Sequence, residues 1–197
     1  MNPVTIISGT AVPLDRSDVD TDQIIPSDWL KRVERTGFDK DLFAEWRDDR
    51  DFVLNDERFA HANVLIAGPN FGTGSSREHA VWAIAQYGFQ AVVSPRFGPI
   101  FQNNSAKCGL LCVQVTDDEG SALMKAVQAD PELEITIDVA RLTLEAPAIG
   151  LTLSFHLDPS VQHNLLNGLD DIGITLQHGD EVDAFEAARP HWLPVAG

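Results

Sequence analysis

The sequence predicts an α/β fold, and three observations support that prediction. Two short apolar runs, residues 63–67 and 91–94, are typical of strands buried on both faces. Each run precedes a segment with helical spacing of its apolar residues, over 76–87 and 97–107. The second half of the chain instead alternates apolar and polar residues, as half-buried antiparallel strands do. We therefore expect a mixed sheet with flanking helices.

The first half follows a β-α-β-α-β order, which is typical of a sheet covered by helices. Glycines mark the ends of two predicted helices, at Gly88 and Gly109. The pattern Ser75 to Glu78 resembles a capping box, which would make Ser75 an N-cap. The predicted elements are a strand at 4–8, a helix at 39–46 capped by Asp39, a strand at 63–67, a helix at 76–87, a strand at 91–94, a helix at 97–107, a strand at 110–115 and a helix at 121–129.

The second half is predicted to hold three alternating strands, at 133–138, 141–145 and 151–156. A helix capped by Asp158 or Ser160 should follow and run through Leu166, and a terminal helix should cover 180–188. The chain shows no linker rich in glycine, proline or serine between the two halves. We therefore expect one domain over residues 1–197.

Composition excludes several classes of function. The 197 residues carry 14 Lys and Arg against 30 Asp and Glu, for a formal net charge of -16. Such a surface repels phosphate backbones and anionic lipids, so nucleic-acid and membrane partners are not expected. The sequence has neither an apolar run of about 18 residues nor the pattern of a signal peptide. We expect a cytoplasmic protein in which any anion site is a local basic pocket.

Two cysteines, Cys108 and Cys112, stand four positions apart without a histidine or further cysteine at ligand spacing. They are predicted to be buried apolar thiols rather than metal ligands. The sequence therefore predicts that this chain binds no cofactor or metal by itself.

The candidate site is a glycine-rich turn between a predicted strand and a predicted helix, which is an anion-binding arrangement. Gly72 and Gly74 permit positive φ and close approach to a ligand. Arg77 would stand in the first helical turn, where positive charge is unfavourable unless an anion is bound beside it. The turn lacks the lysine of a phosphate-binding Walker loop and the third glycine of a dinucleotide fingerprint. A carboxylate, which arginine holds bidentately, is the expected ligand.

Three segments carry a resemblance to a known family, in order along nearly the whole chain. The central one reads Gly68-x-Asn70-Phe71-Gly72-x-Gly74-Ser75-Ser76-Arg77-Glu78-His79-Ala80. The others are Asp20-Thr21-Asp22-Gln23-Ile24-Ile25-Pro26, and Phe97, Ile100, Phe101, Asn103 and Asn104 followed by Gly109-Leu110-Leu111. Together they resemble the swivelling domain of the aconitase family, a β/β/α domain like the C-terminal domain of aconitase. Size and the segment 167–173 are similar to those of the family's isopropylmalate dehydratase small subunits. These often have cysteine where Thr73 stands here.

The resemblance implies a hydro-lyase that interconverts 2-isopropylmalate and 3-isopropylmalate by dehydration and rehydration in leucine biosynthesis. It implies that Ser75 is the base, acting as an alkoxide, and that Arg77 holds a substrate carboxylate. Asp22 would orient a basic group of the pocket, while Gly74 and Ser76 would bind substrate through the backbone. For Asp22 the alternative is a turn residue that makes only local hydrogen bonds. For His79 we favour a packing role over a catalytic one.

A basic segment stands out in this acidic chain, with Lys31, Arg32, Val33 and Arg35 close together. It is either a solvated loop or a substrate-binding loop. In the second case Val33 would touch an isopropyl group and a neighbouring cation would bind the second carboxylate.

The resemblance also implies that this chain supplies only part of the active site. The chain has neither the length nor the cysteines for a [4Fe-4S] cluster, so the cluster is expected in a separate large subunit. Phe71 and Trp82 are candidates for that contact, with core burial as the alternative for Trp82. Other substrates remain open: a homoaconitase or dimethylmalate-type dehydratase subunit, or a module that binds dicarboxylates without catalysis.

Overall fold

The computed structural model describes residues 1–27 and 36–189. Its strands form two four-stranded sheets. The antiparallel sheet has the order β1-β6-β7-β8, with β1 at Ile6–Gly9, β6 at Ile135–Asp138, β7 at Thr143–Ala146 and β8 at Leu151–Ser154. The parallel sheet has the order β2-β3-β4-β5, with β2 at Ala11–Leu14, β3 at Val64–Ala67, β4 at Ala91–Ser94 and β5 at Leu111–Gln114. The expected α/β class with parallel and antiparallel strands is confirmed, but the two kinds of strand occupy separate sheets instead of the single mixed sheet that the sequence predicted.

Helices connect and cover the strands. Three longer ones follow the parallel strands: α3 (Glu78–Tyr87), α4 (Pro99–Cys108) and α5 (Asp117–Ala129). Two short helices precede β3, α1 (Thr21–Ile24) and α2 (Ala44–Arg47), together with 3₁₀ turns at Asp39–Asp41, Val53–Asn55 and Glu57–Phe59. A 3₁₀ turn at Pro147–Ile149 and three helices complete the C-terminal part, α6 (Pro159–Asn167), α7 (Asp171–Leu176) and α8 (Gly179–Ala187).

The burial of the two sheets follows their sequence patterns. Every residue of β3 and β4 is buried, as the continuous apolar runs predict. In β6 burial alternates, so that Ile135 and Ile137 face the core while Thr136 and Asp138 are half-buried. The prediction of buried parallel strands and alternating antiparallel strands is confirmed.

Strand β2, which contains Pro13, was absent from the expected elements. Proline cannot donate to a β ladder and is confined to edge strands. The structure agrees with this rule, since among the described strands β2 is the edge of the parallel sheet and pairs only with β3.

The predicted helix at 39–46 is wrong as a single element. A 3₁₀ turn at Asp39–Asp41, with Phe38 rather than Asp39 at its N-cap, gives way to extended backbone at Leu42. Phe43 then adopts left-handed backbone, with φ of 52°, before α2 begins. The Phe43 ring is fully buried and stacks on Trp46 with ring centroids 5.1 Å apart, so its packing overrides local helix propensity.

The other predicted helices are confirmed with shifted ends, whereas α1 and α7 were not predicted. Helix α5 begins four residues earlier than predicted, because Thr116 and Glu119 form a capping box there. Asp158 caps α6 by accepting a hydrogen bond of 2.8 Å from the Ser160 amide. Helix α8 covers nearly all of the predicted terminal helix.

Candidate active site

The glycine-rich turn follows β3 at the carboxyl edge of the parallel sheet. The segment after β2 lies directly against it, since the Gly72 amide donates to the Val19 carbonyl at 2.8 Å. The Thr21 amide likewise donates to the Thr73 carbonyl at 2.9 Å. Carboxyl ends of parallel strands meet at one edge, where open α/β sheets bind ligands. This edge brings α1 and the turn together.

Glycine is required within the turn for two different reasons. Gly72 has φ of +72°, and a Cβ there would lie 2.3 Å from the Phe101 ring. Gly74 has φ of +92° but has room for a side chain, with the nearest atom, on Asp20, 3.4 Å away. Gly72 therefore permits close packing beneath the turn, while Gly74 supplies the left-handed backbone that turns the chain toward Ser75.

Arg77 links the three candidate catalytic residues. Its Nε donates a hydrogen bond of 3.0 Å to the Ser75 hydroxyl. Its Nη1 forms an ion pair with the Asp22 carboxylate and also approaches the Ile25 carbonyl at 3.4 Å. The Arg77 side chain is only 16% exposed, whereas Asp22 is 55% exposed. A largely buried guanidinium is thus held between a hydroxyl and a carboxylate from different segments.

The predicted capping role of Ser75 is wrong. Helix α3 begins at Glu78, and its N-cap is Arg77, with extended backbone and no side-chain capping bond. Thr21 Oγ1 donates to the Ser75 carbonyl at 3.0 Å while Arg77 binds the Ser75 hydroxyl. Ser75 is therefore bonded to α1 and Arg77 at a point in the chain before the helix begins, and it does not cap the helix. Asp22, rather than a bound anion alone, offsets the charge of Arg77 at the helix N-terminus.

The candidate site is an open surface. Gly74, Ser75 and Ser76 are all exposed. A cavity of about 690 Å³ lies elsewhere, between α4, β5, the end of β8 and α6, and no residue of the turn lines it. Because an open surface does not exclude water, reaction at Ser75 needs another surface to close over it.

Two structural contributors to the turn were missed by the sequence analysis. Thr21 was quoted only as part of a motif, yet its backbone and side chain both bind the turn. Arg96 follows β4 and donates from Nε to Asn70 Oδ1 at 2.7 Å, while Asn70 Nδ2 donates to Asp18 at 2.6 Å. The position of Arg96 just beyond a parallel strand was the available signal, because such positions collect at the same edge as the turn.

The aromatic residues near the turn pack inward. Phe71 is fully buried against Phe101, with ring centroids 5.4 Å apart, so the proposed contact of Phe71 with a partner is wrong. His79 packs edge-on against Phe38 and Trp82, at centroid distances of 5.2 Å and 4.8 Å. This placement agrees with the packing role that the sequence favoured for His79.

Four of the predicted substrate-binding residues, Lys31, Arg32, Val33 and Arg35, lie outside the described residues. The residues that follow this segment are hydrogen-bonded to α3. Gln86 accepts hydrogen bonds from the amides of Gly37 and Phe38, at 2.9 Å and 3.0 Å. Gly37 and Phe38, which follow the basic segment, are thereby bonded to the helix that carries Arg77 at its N-cap.

The cysteines occupy positions unlike those of metal ligands. Burial raises the pKa of the Cys112 thiol to about 12, and burial also raises the pKa of Cys108. Metal ligation needs the thiolate, so a thiol with a raised pKa is a poor ligand. Within residues 1–27 and 36–189, no group of three or more His, Cys, Asp or Glu side chains is placed to hold a metal ion.

Comparison with known proteins adds to this geometry. Residues 1–118 match the family model described as the aconitase C-terminal domain, and residues 171–194 match the model for the C-terminal domain of the 3-isopropylmalate dehydratase small subunit. A 3-isopropylmalate dehydratase small subunit from Frankia alni is 56% identical over 196 residues, covering 100% of both chains. The chain belongs to the 3-isopropylmalate dehydratase small-subunit family. A member of this family from Rubrobacter xylanophilus is 53% identical over 194 residues, covering 98% of each chain.

A solved structure extends the likeness to the fold. The crystal structure of a 3-isopropylmalate dehydratase from Methanocaldococcus jannaschii superposes with a TM-score of 0.67 at 25% identity. The match covers 92% of this chain and 99% of that one. The expected aconitase-like swivelling fold is confirmed. Among the helices that the structure describes, none is both long and apolar enough to cross a membrane.

Proposed function

We propose that the chain is the small subunit of a heteromeric hydro-lyase that interconverts 2-isopropylmalate and 3-isopropylmalate. One observation carries the proposal: Arg77 bridges an exposed serine hydroxyl and the Asp22 carboxylate. The full-length similarity to proteins named 3-isopropylmalate dehydratase small subunit supports this choice of reaction.

Ser75 is the proposed base. Dehydration of a hydroxyacid removes a proton from the carbon adjacent to the one that bears the hydroxyl. A serine hydroxyl is a weak base unless its anion is stabilised. The Arg77 Nε, 3.0 Å from Ser75 Oγ, stabilises the alkoxide directly, in a site where Arg77 is largely withdrawn from water. The alkoxide takes the carbon-bound proton and returns it to the other carbon during rehydration.

Asp22 is the proposed positioning residue for Arg77. An ion pair with a carboxylate fixes the plane of the guanidinium, and hence the direction of its Nε hydrogen toward Ser75. The contacts within the described residues use Nε and Nη1. Nη2 then remains to bind a substrate carboxylate, and the backbone at Gly74 and Ser76 lies exposed beside it.

The second carboxylate and the isopropyl group of the substrate require further contacts. The basic segment supplies candidates of both kinds, with Lys31, Arg32 and Arg35 for the carboxylate and Val33 for the isopropyl group. Contacts of the residues on either side of this segment support a place near Arg77, since Ile25 accepts from Arg77 Nη1 at 3.4 Å and Phe38 packs edge-on against His79 in the first turn of α3.

The proposal includes a large subunit that closes over the exposed turn and carries a [4Fe-4S] cluster. Such a cluster supplies a Lewis acid for the departing hydroxyl. The described residues of this chain do not fit the cluster, because Cys112 is a buried thiol with a pKa of about 12 and neither cysteine belongs to a group of three or more His, Cys, Asp or Glu side chains placed to hold a metal ion. The role assigned to this chain is therefore proton transfer and carboxylate binding.

A reconstituted assay tests the function. The purified chain is combined with the cluster-loaded large subunit of its own organism and offered 2-isopropylmalate, homocitrate and citrate in parallel. We expect turnover only in the mixture and a kcat/KM for 2-isopropylmalate well above that for the other two acids. Preference for homocitrate or citrate would reassign the substrate, and binding of all three acids without turnover would support a non-catalytic module.

A further inference from the structure

The C-terminal helices α7 and α8 present an apolar surface that the described structure leaves uncovered. Four of the seven large apolar side chains exposed in the described residues lie in these two short helices. We call them the C-terminal apolar surface: Ile172 is 71% exposed, Leu176 72%, Val182 43% and Phe185 70%. Exposed apolar residues that occur singly are ordinary, but an exposed apolar pair on each of two consecutive helices indicates an interaction site.

The helix α7 is held in the orientation that turns these residues outward. Asp170 caps it by accepting from the Gly173 amide at 2.7 Å and also faces the N-terminal amine at 3.5 Å. Lys107, at the end of α4, pairs with Asp171 at 2.8 Å. Ile172 and Leu176 are four residues apart and therefore share the face of α7 that projects to solvent.

Helix α8 is exposed on every side, from Asp180 through its last residue. A helix of fewer than about 12 residues is marginal in water without tertiary packing. Val182 and Phe185 are three residues apart and form one apolar face on it. A partner that covers this face would supply the packing that the helix lacks.

Charge decides what kind of partner fits. Residues 171–187 contain five acidic residues and neither lysine nor arginine: Asp171, Asp180, Glu181, Asp183 and Glu186. A second copy would place this acidic rim against itself, in a chain whose net charge is already -16. An apolar groove bordered by lysine or arginine is the complementary surface.

The family comparisons point to the same partner. The aconitase C-terminal domain model ends at residue 118, whereas the model covering residues 171–194 is described for small subunits. An element that characterises small subunits is suited to hold two separate chains together. We propose that the C-terminal apolar surface docks into an apolar, basic-rimmed groove of the large subunit, an inference that rests on the proposed function.

The test compares two double variants of the full chain. Leu176→Ser/Phe185→Ser removes the C-terminal apolar surface, and Ile6→Ser/Ile149→Ser changes two exposed apolar residues elsewhere as a matched control. Affinity for the large subunit of the same organism is measured by biolayer interferometry, and kcat is measured at saturating small subunit. We expect the first variant to raise Kd about tenfold or more, with kcat at saturation and the thermal midpoint unchanged. The control should keep the wild-type Kd.

The possible results separate the two proposals. An unchanged Kd in Leu176→Ser/Phe185→Ser would overturn the docking surface, and so would loss of self-association in sedimentation without a change in Kd. A charge variant, Asp180→Asn/Asp183→Asn, gives an independent reading: we expect a lower association rate and a weaker dependence of that rate on salt. If the wild-type complex forms through this surface yet converts no isopropylmalate, the proposed function fails while the docking surface stands.

Discussion

The two sheets have the same size, four strands of four residues each, but differ in what their ends bring together. In the parallel sheet the segments after β2, β3 and β4 all leave at one edge, where Asp22, the glycine-rich turn and Arg96 meet. In the antiparallel sheet successive strands leave at opposite edges through short connections, as between β6 and β7. Its charged residues pair locally, for example Asp138 with Arg141 in that connection.

This comparison shows that strand direction determines where residues distant in sequence can come together to form a site. Residues distant in sequence converge only where several chain segments share an edge, and the Arg77 bridge joins residues 52 and 55 positions away. A local pair such as Asp138 and Arg141 closes a hairpin without bringing distant segments together. Substitutions in the two sheets should therefore separate activity from stability.

The largest expected effect is that of Ser75→Ala. Removing the proposed base should lower kcat by about 10²–10⁴-fold or more, while the exposed position keeps the fold intact. The matched serine is Ser8 in the antiparallel sheet, which bonds Thr136 at 3.1 Å. Kinetics of the reconstituted complex should show Ser8→Ala at wild-type activity, and a similar kcat for both variants would remove Ser75 from the reaction.

Arg77→Lys should have the next largest effect. Lysine keeps the charge but cannot bind Ser75 and Asp22 at once with a planar fork. Losing charge-assisted hydrogen bonds of about 1.5–3 kcal/mol each should reduce kcat/KM about a hundredfold or more. Arg141→Lys is the control in the antiparallel sheet, and steady-state kinetics of the two variants should diverge. Equal kcat/KM values would rule out the fork.

Asp22→Asn should act through Arg77. We expect kcat to fall about 10–100-fold, because the amide orients the guanidinium less firmly, while KM and the thermal midpoint change little. Asp138→Asn, which weakens the equivalent pair in the hairpin, should leave kcat unchanged. A loss of stability in Asp22→Asn that matches its loss of activity would mean that the ion pair serves the fold alone.

Alanine substitutions along one strand of each sheet should lower the free energy of unfolding in two different patterns. In β3, both Leu65→Ala and Ile66→Ala should cost about 2–5 kcal/mol, because both faces are buried. In β6, Ile137→Ala should cost as much but Thr136→Ala less than about 1 kcal/mol, because burial alternates. Chemical denaturation measures these differences, and a similar cost at Thr136 and Ile137 would contradict the burial pattern.

The smallest expected effect concerns the stability of the fold at acid pH. Hydrogen bonds from the Arg141 side chain and backbone lower the pKa of Asp138 below its ordinary value of 3.8. A lowered folded-state pKa gives stability that is present above that ordinary value and lost as pH falls through the lower one. The stability difference between wild type and Asp138→Asn should therefore shrink as pH falls below about 4. Urea unfolding at several pH values would show it, and a constant difference would dismiss the charge effect.

Part of this organisation could be predicted from the sequence. The buried runs of β3 and β4 and the alternation of β6 predicted strands of both kinds, although as one mixed sheet, and the motif around Ser75 selected the turn that carries the proposed site. These features are local, because hydrophobic periodicity and turn chemistry act over a few residues.

Features set by long-range packing were not predictable in the same way. The backbone break at Phe43 depends on burial of its ring and on the hydrogen bond of 2.8 Å from its amide to the Ile24 carbonyl in α1. The late start of α3 depends on contacts from Thr21 and Asp22, more than fifty positions away. No sequence pattern within the turn indicates such contacts, so the capping-box pattern predicted the wrong N-cap for α3.

Arg77 is proposed to act on proton removal by Ser75, and a deuterium isotope effect tests this role most directly. The reconstituted complex is given 2-isopropylmalate carrying deuterium on the carbon that loses its proton, and kcat is compared with that for the unlabelled acid. In Arg77→Lys, weaker support of the alkoxide should make proton removal limiting, so the isotope effect on kcat should exceed that of the wild type. A fall in kcat with an unchanged isotope effect would place Arg77 in another step and contradict the account.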